Sequence, residues 1–357
     1  MKKALKITAV SILTLILIAL VSLVVIFFNE IKTLFTLHKI NDHPFYEMTY
    51  HADYAFDEFL DNGGAATDDE LVSFIKRKIL KGISLKVNPS GACSTFITTT
   101  PDGDNLFARN FDYVPSVGLI LRTQPKNGYK SISVVNLNHL GLSQEKLPNK
   151  GLMNRFITLA APYAPLEGMN EKGVSIAVLI ISKGVVHQET GKVPVTTTSA
   201  IRMILDRASS VKEAVSLLSK YDMNSSGSTG YHFQIADASG DTAIVEYIDN
   251  EMHVLTKDEG YTAATNFVLY NDMNDGFGQD RYQTIRNVQD ETNNIMTQED
   301  ALNLLLKVPG VGFREVEGKS EPIKSDTQWS SIYNLDKLTL SICTSKDINK
   351  IYNYTID

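Results

Sequence analysis

Gly91-Ala92-Cys93-Ser94-Thr95-Phe96 is followed closely by Asp102-Gly103-Asp104-Asn105-Leu106-Phe107-Ala108-Arg109-Asn110-Phe111-Asp112-Tyr113. The first piece puts a cysteine at the head of an apolar, β-branched run. A turn rich in Pro, Asp and Gly follows, and a second run ends in an Arg and an Asp. The pattern predicts a strand, a tight turn and a returning strand. Such a hairpin brings Arg109 and Asp112 back beside Cys93. By default a lone cysteine is a small buried hydrophobe. A thiol flanked by a cation and a carboxylate is instead a candidate activated nucleophile.

Composition narrows the setting. The chain has 357 residues, 43% of them hydrophobic, which is enough for one large domain or two medium ones. A net charge of −7 gives no sign of the basic face that nucleic-acid binding calls for. The two cysteines, Cys93 and Cys343, are a poor disulfide framework for a domain this size and are read as unpaired. The seven His show no HExxH spacing, and with no CxxC either, no metal site is expected. No repeat or low-complexity tract is evident.

Outward toward the N-terminus, Lys2, Lys3 and Lys6 precede an uncharged run from Ile7 to Phe28. As a helix it would span about 33 Å, enough for a bilayer core. The basic flank orients the N-terminus to the cytoplasm and the remainder outside. A cleaved signal peptide would have a shorter apolar core ending at small residues. The expectation for 1–28 is therefore an uncleaved, single-pass anchor in the cell membrane, with the partner surface at 7–28.

Residues 29–92 read as a helical lead-in or pro-segment. Ile31–Ile40 reads as a short helix, broken at His43-Pro44. Tyr50, Tyr54, Phe56 and Phe59 follow at roughly helical spacing. Thr67-Asp68-Asp69-Glu70 is a capping box opening an amphipathic helix that Gly82 closes. Val87-Asn88-Pro89-Ser90-Gly91 is loop.

Residues 93–357 read as one domain. Beyond the hairpin, strands are expected at 119–124, 131–137, 156–161 and 174–182, the last buried by its continuous Val/Ile/Leu content. Two helices fall in 198–220, broken near Ser209-Ser210. A meander covers 231–255, with a short strand or loop over 261–267. A capped helix covers 297–308, and a hairpin spans 329–344. Meanders on either side of a helical block point to an α+β sandwich.

Cys93-Ser94-Thr95 with Asp102-Gly103 and Arg109-Asn110-Phe111-Asp112 resembles the start of the mature chain in the choloylglycine hydrolase and penicillin V acylase family. These are N-terminal-nucleophile (Ntn) cysteine hydrolases of linear amides, related to the acid ceramidase-type amidases. Gly168-Met169-Asn170-Glu171-Lys172-Gly173-Val174 is similar to the family's turn before an internal strand. Thr265-Asn266 resembles its Thr-Asn motif, and Asp280-Arg281-Tyr282 its Ser/Asp-Arg-Phe/Tyr motif. Gln328-Trp329-Ser330-Ser331-Ile332-Tyr333-Asn334-Leu335 resembles its C-terminal hairpin. The five occur in the family's order and cover most of 93–357.

The resemblance implies a four-layer αββα sandwich of the Ntn-hydrolase type, behind an N-terminal transmembrane helix. It implies that Cys93 becomes N-terminal when Ala92–Cys93 is cut, and that its thiolate then attacks the substrate carbonyl. The freed α-amino group, with an ordinary pKa near 8, would serve as base, so no His is required. Asp112 would hold that amino group. Arg109 would hold the thiol and lower its pKa. Asn266 would donate to the oxyanion, a contribution of roughly 3 kcal/mol. Arg281 would complete the polar network. No cofactor is implied.

Two departures bear on substrate. Ile180 stands where bile salt hydrolases carry Asn and penicillin V acylases usually Tyr; its backbone N–H would still serve the oxyanion while its side chain faces substrate. The 92 residues before Cys93 are more similar to relatives that carry a pro-segment and cut themselves. The expected partner is a small N-acyl amide, and self-association is left open. Three readings stand: an anchored, self-processed amidase; an acyltransferase of the isopenicillin-N type on the same site; and a non-catalytic, membrane-anchored binding protein.

Overall fold

The computed structural model describes residues 2–83, 92–314 and 321–356, with no side chains given for 2–10, 19 and 20. The loop expected at Val87–Gly91 lies outside the described residues. In chain order, α1 (Lys2–Ile26) and α2 (Phe28–Thr36) lead into β1 (His38–Asn41), β2 (Phe45–Thr49), α3 (Phe56–Asp61) and α4 (Asp68–Lys78). Then come β3 (Ala92–Thr99), β4 (Asn105–Tyr113), β5 (Gly118–Thr123), β6 (Ser131–Asn136), α5 (Leu152–Ile157), β7 (Pro165–Asn170) and β8 (Ser175–Ile181). The short β9 (Pro194–Thr196), α6 (Thr197–Arg207), α7 (Val211–Leu218) and β10 (Asp222–Asn224) precede β11 (Gly230–Ala236), β12 (Thr242–Ile248) and β13 (Glu251–Thr256). The chain continues through β14 (Ala263–Ala264), β15 (Asn266–Phe267), β16 (Gly276–Phe277), α8 (Gln279–Glu291), α9 (Gln298–Lys307) and β17 (Gly312–Arg314). It closes with β18 (Ile323–Asn334), β19 (Thr339–Thr344) and β20 (Ile351–Thr355).

Two sheets result. The larger runs β1-β2-β5-β6-β7-β8-β11-β12-β13; the other runs β14-β3-β4-β18-β19-β20, with β17 on β18. One face of each is buried in a shared core that joins Cys93, Ile97, Phe107, Phe111 and Trp329 to the larger sheet. Against the other face of the larger sheet lie α6 and α7, through Ile201, Ile204, Leu205 and Leu218. The opposite face of the second sheet packs Phe96, Leu106 and Ala108 against Ile285 of α8 and Leu302 and Leu305 of α9. The fold is thus mixed helix and sheet, with the cysteine between the sheets.

The β3–β4 hairpin forms as expected. Its turn closes with Gly103 N donating to Thr100 O at 2.9 Å, and Gly103 takes φ +94°, which glycine adopts without a Cβ penalty. Likewise α4 is capped by Thr67, whose Oγ1 accepts from Glu70 N, while Glu70 Oε2 reaches one residue beyond the cap to accept from Ala66 N rather than closing the reciprocal box.

Several expectations are corrected. The helix read over Ile31–Ile40 ends at Thr36, and 38–49 forms two strands, β1 and β2. β2 pairs parallel with β5, placing Phe45 beside Gly118, where any Cβ would come within 2.1 Å of the Phe45 ring. Of the aromatics at helical spacing, Tyr50 and Tyr54 lie in the connection after β2, and only Phe56 and Phe59 are helical, in the short α3. Residues 156–161, read as a strand, belong to α5 and a 3-10 turn, Thr158–Tyr163; a short apolar run does not discriminate between the two. Both α8 and β20 were not anticipated. The cysteines are free and buried, with β4 and β18 between their strands.

At the N-terminus, α1 exposes apolar side chains such as Leu13, Leu15, Leu17 and Val25. Among the described residues no single helix is long and apolar enough to cross a membrane; Ser11–Ile26 and Phe28–Thr36 meet that measure only together, across a 67° bend. The expected transmembrane helix over 7–28 is therefore not established by the fold.

Candidate active site

Strand register decides what surrounds Cys93. Across β3 and β4, Cys93 lies opposite Phe111, Thr95 opposite Arg109 and Ala92 opposite Asp112. Opposite residues project to the same face, and neighbours along a strand to opposite faces. Arg109 and the thiol therefore share the inner face, while Asp112 and Ala92 share the outer one. The expectation that Cys93 Sγ is flanked by both charges is corrected: it meets the cation alone.

On the inner face, Arg109 NH2 donates to Cys93 Sγ at 3.1 Å and to Val178 O at 3.1 Å. Its NH1 donates to Leu166 O at 2.6 Å and pairs with Glu167 Oε2 at 2.9 Å. Glu167 Oε1 accepts from Trp329 Nε1 at 2.9 Å and Ser331 Oγ at 2.8 Å. Arg109 and Glu167 are both fully buried. Burial opposes the charge of Arg109, but the Cys93 and Glu167 charges outweigh it and hold the guanidinium above its ordinary value. Arg109 acts on the thiol in the expected direction, but burial outweighs it. Burial pushes Cys93 up, with Asp112 and Glu167 adding to the rise, and Arg109 only moderates it.

On the outer face, Asp112 Oδ1 accepts from Thr327 Oγ1 at 2.7 Å, and Oδ2 lies 3.5 Å from Arg281 NH1. Burial raises its pKa despite these partners. Gly310 closes the space beside it, since a Cβ there would come within 2.6 Å of Asp112 Oδ2.

The backbone of Cys93 is gripped between these faces. Its N–H donates to Asn266 Oδ1 at 2.9 Å and its carbonyl accepts from Arg281 NH1 at 2.9 Å. Arg281 also donates to Ser94 Oγ at 2.7 Å and, through NH2, to Asn266 Oδ1 at 2.8 Å. It stands in the first turn of α8 and folds back over Gly278, where a Cβ would meet the guanidinium at 2.4 Å. Asn266 Nδ2 donates to Ile180 O at 2.8 Å, so Ile180 meets this site through its carbonyl. Cys93, Arg109, Asp112, Asn266, Arg281 and Ile180 thus converge from β3, β4, β15, α8 and β8. Ala92, 2% exposed, covers the cysteine on the outer side and lines a cavity of about 440 Å³ with Phe277, Arg281, Gly310, Val311 and Phe313. Among the described residues no cluster of His, Cys, Asp and Glu could hold a metal ion.

Sequence reasoning missed Glu167, Thr327 and the support from Trp329 and Ser331. Glu167 left one signal: a single carboxylate inside the apolar run Pro165-Leu166-Glu167-Gly168-Met169. Such a group is rarely buried without a cationic partner. Thr327 left none.

A hydrogen-bonded cysteine between two sheets, held by two buried arginines, defines a class of site, and comparison with known proteins supplies its family. The model for linear amide C–N hydrolases, choloylglycine hydrolase family, matches residues 93–310. The chain belongs to that family. A mutant of the conjugated bile acid hydrolase from Clostridium perfringens shares the fold at 18% identity, TM-score 0.54, over 74% of this chain and 92% of that one. A second variant of the same hydrolase matches equally. The penicillin V acylase from Agrobacterium tumefaciens matches at 18% identity and TM-score 0.49, over 71% and 83% of the two chains. Curated proteins give no match.

Proposed function

We propose that the chain hydrolyses the C–N bond of a linear N-acyl amide with Cys93 as its nucleophile, after cutting itself between Ala92 and Cys93. The supporting observation is the threefold grip on Cys93: Sγ by Arg109, backbone N–H by Asn266 and carbonyl by Arg281. That arrangement fixes both the thiol and the nitrogen that scission would release.

In the first stage the Cys93 thiol adds to the Ala92 carbonyl. The Ala92–Cys93 C–N bond breaks as its nitrogen takes the thiol proton, leaving a thioester. Water hydrolyses the thioester, so that Ala92 departs as a carboxylic acid and Cys93 regains its thiol. In the second stage the new α-amino group, held between Asn266 and the Asp112 side, takes the thiol proton. The thiolate adds to the substrate carbonyl, and the oxyanion is met by Asn266 Nδ2. The amino group returns the proton to the leaving amine, and water releases the acyl group.

The same reading places 93–357 as an αββα Ntn-hydrolase domain and 29–92 as a pro-segment. It makes 1–28 a membrane anchor, with the catalytic domain outside the cytoplasm. Support for the anchor is the exposed apolar surface of α1 behind Lys2, Lys3 and Lys6. The experiment is a panel of amides scored by released amine, with Cys93→Ser as blank. Cys93-dependent release from one of them is expected; equal release by both proteins overturns the reading.

A further inference from the structure

We propose that His232 is a positioning residue for Asn266, held as an imidazolium by Glu246 so that it clamps the strand carrying the oxyanion donor. The inference rests on the reading of Asn266 given above and adds two residues that no motif of the site contains.

His232 on β11 and Glu246 on β12 are direct cross-strand partners, and both are fully buried. His232 Nδ1 lies 2.8 Å from Glu246 Oε1, and Nε2 lies 2.8 Å from Thr265 O. A backbone carbonyl only accepts, so Nε2 carries a hydrogen. Glu246 is committed as an acceptor too: Oε1 takes the Leu269 N–H at 3.0 Å and Oε2 the Tyr270 N–H at 2.9 Å. Its partners, His232 first, hold it below the ordinary carboxylate range against the opposing effect of burial. A carboxylate facing Nδ1 requires a hydrogen there as well. Both ring nitrogens are then donors, which defines the imidazolium.

The consequence is mechanical. Thr265 immediately precedes Asn266, and Leu269 and Tyr270 follow it closely. The ion pair therefore holds the segment from both ends. Thr265 Oγ1 adds a third tie by donating to Gly278 O at 2.9 Å, three residues before Arg281. A neutral ring would leave one of its two acceptors facing a lone pair. The charged groups facing this pair are few. On β13, His253 lies opposite Glu246, its ring stacked 3.7 Å from Tyr270. Tyr261 also feels the Glu246 charge. On the β8 side His232 meets Leu179.

Two measurements test the clamp. In ¹⁵N-histidine-labelled protein at pH 7, His232 should show both ring nitrogens protonated, and Glu246→Gln should remove one of the two. A single protonated nitrogen in the wild-type chain overturns the proposal, whatever the chain hydrolyses. In the amide assay, His232→Leu should lower kcat about 10- to 100-fold through misplacement of the donor. KM and the rate of Cys93 alkylation by iodoacetamide should stay within about twofold, because alkylation makes no oxyanion. His232→Gln, which keeps one donor for Thr265 O, should recover most of kcat. An unchanged kcat, or a joint fall of kcat and alkylation, overturns it. Absence of Cys93-dependent turnover in the wild type would instead count against the hydrolase reading, leaving the nitrogen signals to decide the clamp.

Discussion

Arg109 and Asp112 leave the same strand on opposite faces, so the guanidinium lies 3.1 Å from Cys93 Sγ while the carboxylate faces Arg281 beyond the backbone. Of the two charges, only Arg109 touches the thiol; Asp112 lies on the other side of the Cys93 backbone. Arg109→Leu should slow iodoacetamide alkylation of Cys93 about tenfold or more, because the thiolate loses its cation. Asp112→Asn should not slow alkylation, since the Asp112 charge only raises the thiol, yet it should cut amide turnover at least about 100-fold, the range of a lost acid–base function. Equal effects of both substitutions on alkylation would contradict this division.

Intact-mass measurement addresses the cut. Wild-type protein should yield a fragment beginning at Cys93, and Cys93→Ala should remain one chain. A fragment beginning at Cys93 in the Ala variant would assign the cut to another protease.

Glu167 neutralises Arg109 and accepts from Trp329 and Ser331 in a fully buried setting. Removing one partner of such a pair strands the other charge, which costs about 3–5 kcal/mol. Glu167→Ala should lower the urea midpoint accordingly, and Glu167→Gln should lower it less because its amide oxygen still accepts. Midpoints unchanged in both variants would show that Arg109 finds compensation elsewhere.

Cys343 gives a pH dependence with a definite sign. Burial pushes its thiol up to about 11. The folded state therefore holds this proton more tightly than the unfolded chain does. The resulting stability is fully present below the unfolded value, about 8.5, and is lost as pH rises toward 11. Cys343→Ala should flatten the fall in unfolding free energy across that window. A fall of equal steepness in the variant would assign the effect to other groups.

The segment before Cys93 packs into the same core as the strands that follow it. β2 lies between β1 and β5, Phe45 packs edge-on against Trp329 at 5.6 Å, and Tyr50 Oη donates to Leu159 O at 2.9 Å. After scission the two pieces should co-elute on gel filtration. Phe45→Ala, at a cost of about 3–5 kcal/mol, should loosen them. Free 93–357 in the medium, with 1–92 left in the membrane, would contradict the docking.

Much of this site was legible in the sequence because its residues sit in short local patterns. Cys93, Arg109 and Asp112 belong to one hairpin, whose turn residues set the register. Thr265-Asn266 and Asp280-Arg281-Tyr282 are read through resemblance to a family. What escaped was of another kind. Glu167 meets Arg109, and His232 meets Thr265, only because distant strands become neighbours. The strands at 38–49 were hidden because runs as short as His38–Asn41 and Phe45–Thr49 carry no decisive period; pairing with β5 at Gly118 settled the matter.

The sequence by itself determined the hairpin, the cap of α4 and the family motifs, since each depends on residues a few positions apart. Tertiary structure alone decided which face of the hairpin each charge occupies and what lies behind it. Alternation along a strand separates Arg109 from Asp112, but which face becomes interior depends on the second sheet that covers it. Burial between those sheets is also what raises the Cys93 thiol, and no spacing of residues along the chain encodes that desolvation.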